Sequence, residues 1–422
     1  MKSQPPLGRV AMLSTHGYFD PVPQLGRTDT GGQVTYVIEL SLALARRGVR
    51  VDIFTRWFDP ERRQIDPHPQ NPNVRVIRIP AGPWEFIPKE AIYPVLPELA
   101  NRMVDFIRGN KLHYDLFHGH YVDAGIVTLS VAQQLAGAAF FTAHSLGAWK
   151  QHQMGGDPEE MERKFNFRLR IAEELRIFRS VRAQTVTTAV QKDIIRELYH
   201  FEGDNIAVIR PGVNVERFSP LGPDQPEVDT GLPQRYIFCL SRIDSNKGHD
   251  LLLNAFDLVR RSVPSVHLVI GGGSPKGVGE TETEVLQTIR NIIREKGLQD
   301  NVDIVGYIPD ELLAPAYQQA ELFVLPSLFE PFGLTVLEAM ACGRPVVASR
   351  LGGIREIITS GENGLLVDPR NDSEFAEAMV RLLKDSRLSQ RLGQRGRRLV
   401  LEQFSWDGAA ARHLDFYRQY LE

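Results

Sequence analysis

Short β-branched apolar runs alternate with longer amphipathic segments, and the whole alternation occurs twice along the chain. The first round opens with Arg9-Val-Ala-Met-Leu-Ser-Thr as a strand, then a helix over 33–47 and a strand over 49–55. Further strands are predicted at 74–79, 116–119 and 138–142. The second round predicts strands at 236–241, 266–271, 302–306, 322–326 and 346–348, with helices at 249–263, 283–296, 311–320 and 333–341 between them. Strand, helix and strand in regular succession build a parallel sheet with helices on both faces. The restart therefore predicts two α/β units, each a Rossmann-like doubly wound sheet. Between them, Arg210-Pro-Gly-Val-Asn-Val-Glu-Arg-Phe-Ser-Pro and then Gly222-Pro-Asp-Gln-Pro break regular structure and mark a linker. The expected domains are 1–212 and 213–405, followed by an amphipathic helix from Trp406 to the C-terminus.

Composition narrows the possible partners. The 422 residues fit two sizeable domains with little left over. Lys and Arg number 49 against 52 Asp and Glu, a net charge of -3, so no global basic field exists for nucleic acid or a membrane surface. A polyanionic ligand must be held by local groups. Cys239 and Cys342 both lie in apolar runs and read as buried reduced thiols. The N-terminus lacks the apolar run of a signal peptide, and no stretch is long and apolar enough to span a bilayer. The expectation is a soluble, cytoplasmic protein.

Four candidate sites sit at strand ends, where open α/β sheets bind ligands. Thr30-Gly31-Gly32-Gln33 precedes a helix, so its backbone and the free helix N–H groups suit an anion, or form a plain capped turn. Arg242 and Lys247, five residues apart after the first strand of the second unit, suit a diphosphate, or a solvated loop. In Glu330-Pro-Phe332-Gly333-Leu334-Thr-Val-Leu-Glu338 the three central amides would open a helix toward phosphate or sugar oxygens. Glu338 falls among apolar neighbours, so its carboxylate needs a partner. His144 ends a strand of the first unit, and His118-Gly-His120-Tyr-Val-Asp123 ends the preceding one. Two His and one Asp lack a further ligand at metal spacing, so they read as sugar-hydroxyl partners or structural groups, with no metal expected.

With these pieces, the chain resembles the retaining glycosyltransferases of family 4, which have the GT-B fold of two Rossmann-like domains facing an interdomain cleft. The glutamate–seven residues–glutamate motif from Glu330 to Glu338 carries the resemblance most specifically. Arg242 with Lys247, Gly353 before a helix, and Gly364-Leu-Leu-Val-Asp368-Pro also match. Gly31-Gly32-Gln33, Gly119-His-Tyr-Val-Asp-Ala-Gly125 and His144-Ser-Leu-Gly are most similar to the branch of bacterial sucrose-phosphate synthases. The resemblance implies UDP-glucose and fructose 6-phosphate as substrates, no metal cofactor, and retention of configuration. Arg242 and Lys247 would bind the donor diphosphate, Glu338 the ribose, and backbone near Ile308 the base. Glu330 and the amides at Phe332, Gly333 and Leu334 would contact donor sugar and phosphate. His144 and Asp123 would touch the glucosyl unit, with Gly32 and Gln33 between donor phosphate and acceptor. It also implies that the C-terminal helix returns to the first domain and that the domains close about a hinge at 211–226.

The acceptor phosphate needs local cations, and Lys150 in a loop after His144 ranks first. Arg168 and Arg170, on a helix predicted over 165–178, match phosphate-binding positions of the family. Residues two apart on a regular helix point apart, so both reach one phosphate only at a helix end or an irregularity. Arg170 could instead pair with Glu174 at i,i+4. Lys89 is a weaker addition. Free fructose or another nucleotide sugar remains open as a substrate, as does a non-catalytic sugar-nucleotide sensor. A dinucleotide oxidoreductase is disfavoured, because Gly271-Gly-Gly-Ser has the wrong spacing. The sequence ends without the Asp-x-Asp segment of a phosphatase domain, so a separate sucrose-phosphate phosphatase is the expected partner.

Overall fold

A computed structural model of the chain describes residues 7–23, 31–154, 157–222, 225–273 and 280–422, the last stretch with side chains from 283 onward. Thr30, Ser274 and part of the predicted linker (223–224) lie outside the described residues. The chain divides into two compact units, Met1–Pro211 with Trp406–Glu422, and Gly212–Ser405.

The first unit is an eight-stranded sheet. Its strands are β1 (Arg9–Leu13), β2 (Arg50–Trp57), β3 (Ile65–His68), β4 (Asn71–Pro80), β5 (Leu116–His120), β6 (Ala139–Thr142), β7 (Ala183–Val186) and β8 (Ile206–Val208). Their order is β3-β4-β2-β1-β5-β6-β7-β8, parallel except for β3, which runs antiparallel along the edge. Its helices are α1 (Gly32–Arg46), α2 (Leu96–Gly109), α3 (Val122–Leu135), α4 (Gly147–Met154), α5 (Pro158–Phe165), α6 (Phe167–Ser180) and α7 (Ala189–Tyr199). The pattern of α2 is typical: Leu96, Leu99, Ala100, Met103, Val104 and Ile107 are buried along one stripe, and Pro97 sits in the first turn.

The second unit is a six-stranded parallel sheet. Its strands are β9 (Tyr236–Leu240), β10 (His267–Gly271), β11 (Val302–Gly306), β12 (Leu322–Leu325), β13 (Val346–Ser349) and β14 (Leu365–Val367), in the order β11-β10-β9-β12-β13-β14. Helices α8 (His249–Ser262), α9 (Glu280–Glu295), α10 (Asp310–Gln319), α11 (Leu334–Ala341), α12 (Asp372–Lys384) and α13 (Ser386–Gln403) cover it. The central strands are apolar on both sides; every residue of β12 and of β13 is buried, as expected of a sheet sandwiched between helix layers.

The last helix, α14 (Trp406–Leu421), belongs to the first unit and packs on α1. Trp406, Leu414, Phe416 and Tyr417 are buried there. At ~1.5–3 kcal/mol per large apolar side chain, this stripe holds the helix to the unit.

Three local expectations need correction. The helix predicted over 165–178 is α6 and begins only at Phe167, because Asn166 adopts left-handed backbone (φ 51°) and separates it from α5, a helix that the apolar pattern does not predict. Lys150 lies in helix α4, not in a loop. The apolar pattern predicts no strand at β3, β7, β8 or β14.

Candidate active site

Both sheets have a switch point, where strand order departs in two directions and leaves a crevice at the strand ends. In the first unit it lies between β1 and β5, and side chains bridge it. Asp123, in the first turn of α3 and fully buried, accepts a short hydrogen bond from the Thr15 hydroxyl beyond β1. His16 Nδ1 lies 2.9 and 3.0 Å from its two carboxylate oxygens. Gln33, on the first turn of α1, donates from Nε2 to Ser14 Oγ (3.0 Å) and to the His120 carbonyl (3.1 Å). Gly31 caps the same helix without any side-chain hydrogen bond, and Gly32 begins it.

His144, just past β6, reaches the same edge. Its Nε2 lies 2.9 Å from His120 Nδ1, and its ring meets Tyr36 edge-on at 4.7 Å. Burial and the neighbouring His16 and His413 push its pKa down to about 3, so the imidazole is neutral at physiological pH. His118 and His120 are lowered in the same direction, chiefly by burial. Six described non-glycine residues have positive φ. Ala136, Asn166 and His200 are helix C-caps and Lys111 follows α2, whereas Tyr121 (φ 77°) and His144 (φ 56°) sit at this crevice. Backbone held in such conformations marks sites where position matters more than local comfort.

In the second unit the switch point lies between β9 and β12, and an ion pair spans it. Lys247, in the loop after β9, puts Nζ 2.7 Å from Glu330 Oε2 in the loop after β12, with both side chains largely shielded (12% and 15% exposed). Two glycines let neighbouring loops approach closely here, one after β9 and one after β13. Gly248 has φ 69°, and a Cβ there would lie 2.5 Å from the Pro326 carbonyl oxygen. Gly352 has φ 92°, and a Cβ there would collide with the Glu330 carbonyl, while the adjacent Gly353 amide donates to that carbonyl at 2.9 Å. Arg242 is exposed on the same loop as Lys247.

The loop from Glu330 runs into α11, whose N-cap is Gly333 (φ 99°), again with no capping side chain. Phe332 is buried in the core and Leu334 opens the helix, so the first amides of α11 are not used by a cap. Glu338, one face further along, has the partner its surroundings require: Tyr317 Oη donates to its Oε2 at 2.7 Å. Ile308 follows β11, half-buried, its Cδ1 near the end of β10 at Gly271.

The expected acceptor cations are placed unevenly. Lys150 Nζ stands 4.2 Å over the Phe165 ring, and Lys89 pairs with Glu90 at 3.1 Å. The break at Asn166 puts Arg168 and Arg170 in the first turn of α6, where Arg168 is exposed. Arg170 is buried: its Nε donates to Glu174 at 2.9 Å, its Nη2 to the Ser145 carbonyl at 3.0 Å, and its guanidinium covers Tyr121. The i,i+4 alternative is thus realised for Arg170. Glu174 is further held by the Gly147 amide and a short bond from the Tyr199 hydroxyl.

Sequence reasoning missed Thr15 and His16. Their signal was present: Ser14-Thr-His-Gly directly follows β1, a strand end that borders the first unit's switch point. Cys239 and Cys342 are buried thiols whose pKa burial raises to about 12. Among the described residues, no group of three or more His, Cys, Asp and Glu is arranged to hold a metal ion. No described helix is long and apolar enough to cross a membrane.

Two family models match the chain: Glycosyltransferase Family 4 over residues 30–217 and Glycosyl transferases group 1 over 225–399. Mannosylfructose-phosphate synthase of Agrobacterium fabrum is 38% identical over 413 residues, 95% of this chain and 89% of the relative. D-inositol 3-phosphate glycosyltransferase of Corynebacterium diphtheriae is 34% identical, over 91% of this chain and 88% of the relative. Among solved structures, sucrose-phosphate synthase from Thermosynechococcus elongatus superposes with a TM-score of 0.87 at 32% identity, covering 98% of both chains.

Proposed function

The chain belongs to the group 1 and family 4 glycosyltransferases of GT-B fold, and from that premise we propose that it transfers a hexosyl unit, with retention, from a nucleotide sugar to fructose 6-phosphate. With a glucosyl donor such as UDP-glucose the product is sucrose 6-phosphate.

The observation that carries this reading is the Lys247–Glu330 pair across the second unit's switch point, beside the uncapped start of α11. Breaking the bond between the sugar and the leaving diphosphate puts growing negative charge on phosphate oxygens. Lys247, Arg242 and the amides of Phe332 to Leu334 would stabilise that charge more in the transition state than in the ground state. Glu330 holds Lys247 in place and leaves its other oxygen for a donor hydroxyl. Glu338, fixed by Tyr317, suits the two hydroxyls of a ribose. In the first unit, His144 and Asp123 would contact the hexosyl unit, and Gly31, Gly32 and Gln33 would line the acceptor. Lys150, Lys89 and Arg168 would carry the acceptor phosphate, while Arg170 serves mainly to hold Glu174 and the Ser145 backbone. No metal is assigned a step.

The activities named for the relatives support a phosphorylated acceptor: mannosylfructose phosphate, inositol 3-phosphate and sucrose phosphate. They differ in the sugar transferred. A mannosyl donor is therefore the second reading, favoured by the 38% identical mannosylfructose-phosphate synthase. A matrix of UDP-glucose, ADP-glucose and GDP-mannose against fructose and fructose 6-phosphate tests both. Turnover confined to fructose 6-phosphate supports the proposal, and the preferred donor selects between the readings. Equal rates with fructose would overturn the role of Lys150, Lys89 and Arg168. Under the proposed reaction the product keeps the acceptor phosphate, and a separate phosphatase would release the free disaccharide.

A further inference from the structure

The groups behind His144 determine which of its two nitrogens carries the proton. His120 is buried with its Nε2 3.2 Å from the thioether sulfur of Met12 and its Nδ1 2.9 Å from His144 Nε2. A thioether has no hydrogen to give, and a bare nitrogen facing it would set lone pair against lone pair. His120 Nε2 therefore carries its hydrogen and donates to Met12. The His120 ring is stacked on His118 at 4.5 Å and 17°, in a pocket whose burial keeps both neutral. A neutral ring protonated at Nε2 has a bare Nδ1, so His144 Nε2 must be the donor to it.

Tyr36 does not compete for His144. His413 Nδ1 donates to the Ala409 carbonyl at 2.9 Å, which leaves His413 Nε2 to accept from the Tyr36 hydroxyl at 3.3 Å. Tyr36 then meets His144 through a near-perpendicular ring contact at 4.7 Å. We propose that His120, anchored by Met12, is a positioning residue that holds His144 in the Nε2–H tautomer and leaves His144 Nδ1 as a bare hydrogen-bond acceptor toward the hexosyl unit.

The direction matters to the chemistry. A bare Nδ1 accepts a hydrogen from a sugar hydroxyl and turns the negative end of the imidazole dipole toward the sugar. Positive charge grows on that sugar as the leaving group departs, so the Nε2–H tautomer stabilises the transition state and the Nδ1–H tautomer opposes it. This deepens the proposed function and rests on its reading that His144 contacts the hexosyl unit.

Histidine-selective 15N labelling of the full chain, with long-range 1H–15N correlation spectra, reads each tautomer directly. The wild-type protein should show His144 protonated at Nε2 between about pH 6 and 8. His120→Phe keeps an aromatic ring against His118 but removes the acceptor. It should give a mixture of His144 tautomers and at least a ~10-fold fall in kcat, with nucleotide affinity changed less than ~2-fold. Met12→Leu, a near-isosteric change, should give a partial mixture and covers the case in which His120→Phe does not fold. A wild-type His144 protonated at Nδ1, or an unmixed Nε2–H tautomer in the folded His120→Phe or, failing that, in Met12→Leu, overturns the proposal. Wild-type turnover in His144→Ala would instead remove the hexosyl contact while leaving the tautomer assignment to stand or fall on the spectra.

Discussion

Replacing Lys247 with alanine removes the cation that spans the second unit's switch point. Its Nζ is 2.7 Å from Glu330 and only 12% of the side chain is exposed. A unit charge ~4 Å from a phosphate oxygen is worth ~4 kcal/mol at an effective dielectric near 20. Only the part that grows as the bond breaks appears in kcat; losses of single charge stabilisers of this type run to ~3 kcal/mol, or ~100-fold. A second effect adds to the first. Glu330 is 15% exposed, so without Lys247 its carboxylate stays shielded and unpaired beside the leaving diphosphate. Lys247→Ala should therefore lower kcat by ~100-fold, measured as nucleoside diphosphate release at saturating donor and acceptor. Adding Glu330→Gln should cost less than the sum of the two single changes, a coupling of ~1–3 kcal/mol. A Lys247→Ala enzyme within about threefold of wild type would refute the reasoning, because a group that stabilises the departing charge cannot be so dispensable.

Other expectations follow from the same geometry. His118, His120, His144 and His413 all have pKa values lowered by burial, His144 to about 3 and His413 to about 4. The unfolded chain protonates them near pH ~6.5 while the folded chain does not, so their contribution is complete above that pH. It declines by ~1 kcal/mol per histidine per pH unit as pH falls below 6.5 toward the folded values; thermal melts should show Tm dropping steeply from pH 6.5 to 5, and a flat Tm would contradict neutral burial. Asp123→Ala strands the Thr15 hydroxyl and His16 across the first switch point, and should cost ~2–4 kcal/mol in denaturant unfolding together with at least a ~10-fold loss of kcat. Gly352→Ala places a methyl against the Glu330 carbonyl at φ 92°; a destabilisation of ~1–3 kcal/mol with reduced kcat is expected, and an unaltered enzyme would mean that this loop is free to yield.

Much of the architecture was legible because the central strands of both sheets are parallel and buried, so strands such as Tyr236-Ile-Phe-Cys-Leu stand out as unbroken apolar runs. The unread strands fail for physical reasons. In β7, Ala183-Gln-Thr-Val, the polar Gln184 and Thr185 are buried by tertiary context, which periodicity does not register. In β3, Ile65-Asp-Pro-His68, a proline is tolerated because the strand is an edge. The ligand side was legible where chemistry is local to one loop, as in Lys247 or Glu330 to Glu338. It was hidden where the partner is remote in sequence: Glu338 announced a need that Tyr317 fills 21 residues away, and Thr15 meets Asp123 across 108. The left-handed Asn166, which sets the start of α6 and separates it from the unpredicted α5, is the kind of single-residue backbone choice that the 3.6-residue apolar period does not reveal.

The central claim is retaining hexosyl transfer to a phosphorylated fructose, and a time-resolved 1H NMR spectrum of the purified enzyme with UDP-glucose and fructose 6-phosphate tests it most directly. The account predicts that an α-configured glucosyl anomeric signal grows in step with UDP release, and that the signal is absent when fructose replaces fructose 6-phosphate. A β-configured product, or UDP release accompanied by free glucose alone, would contradict it.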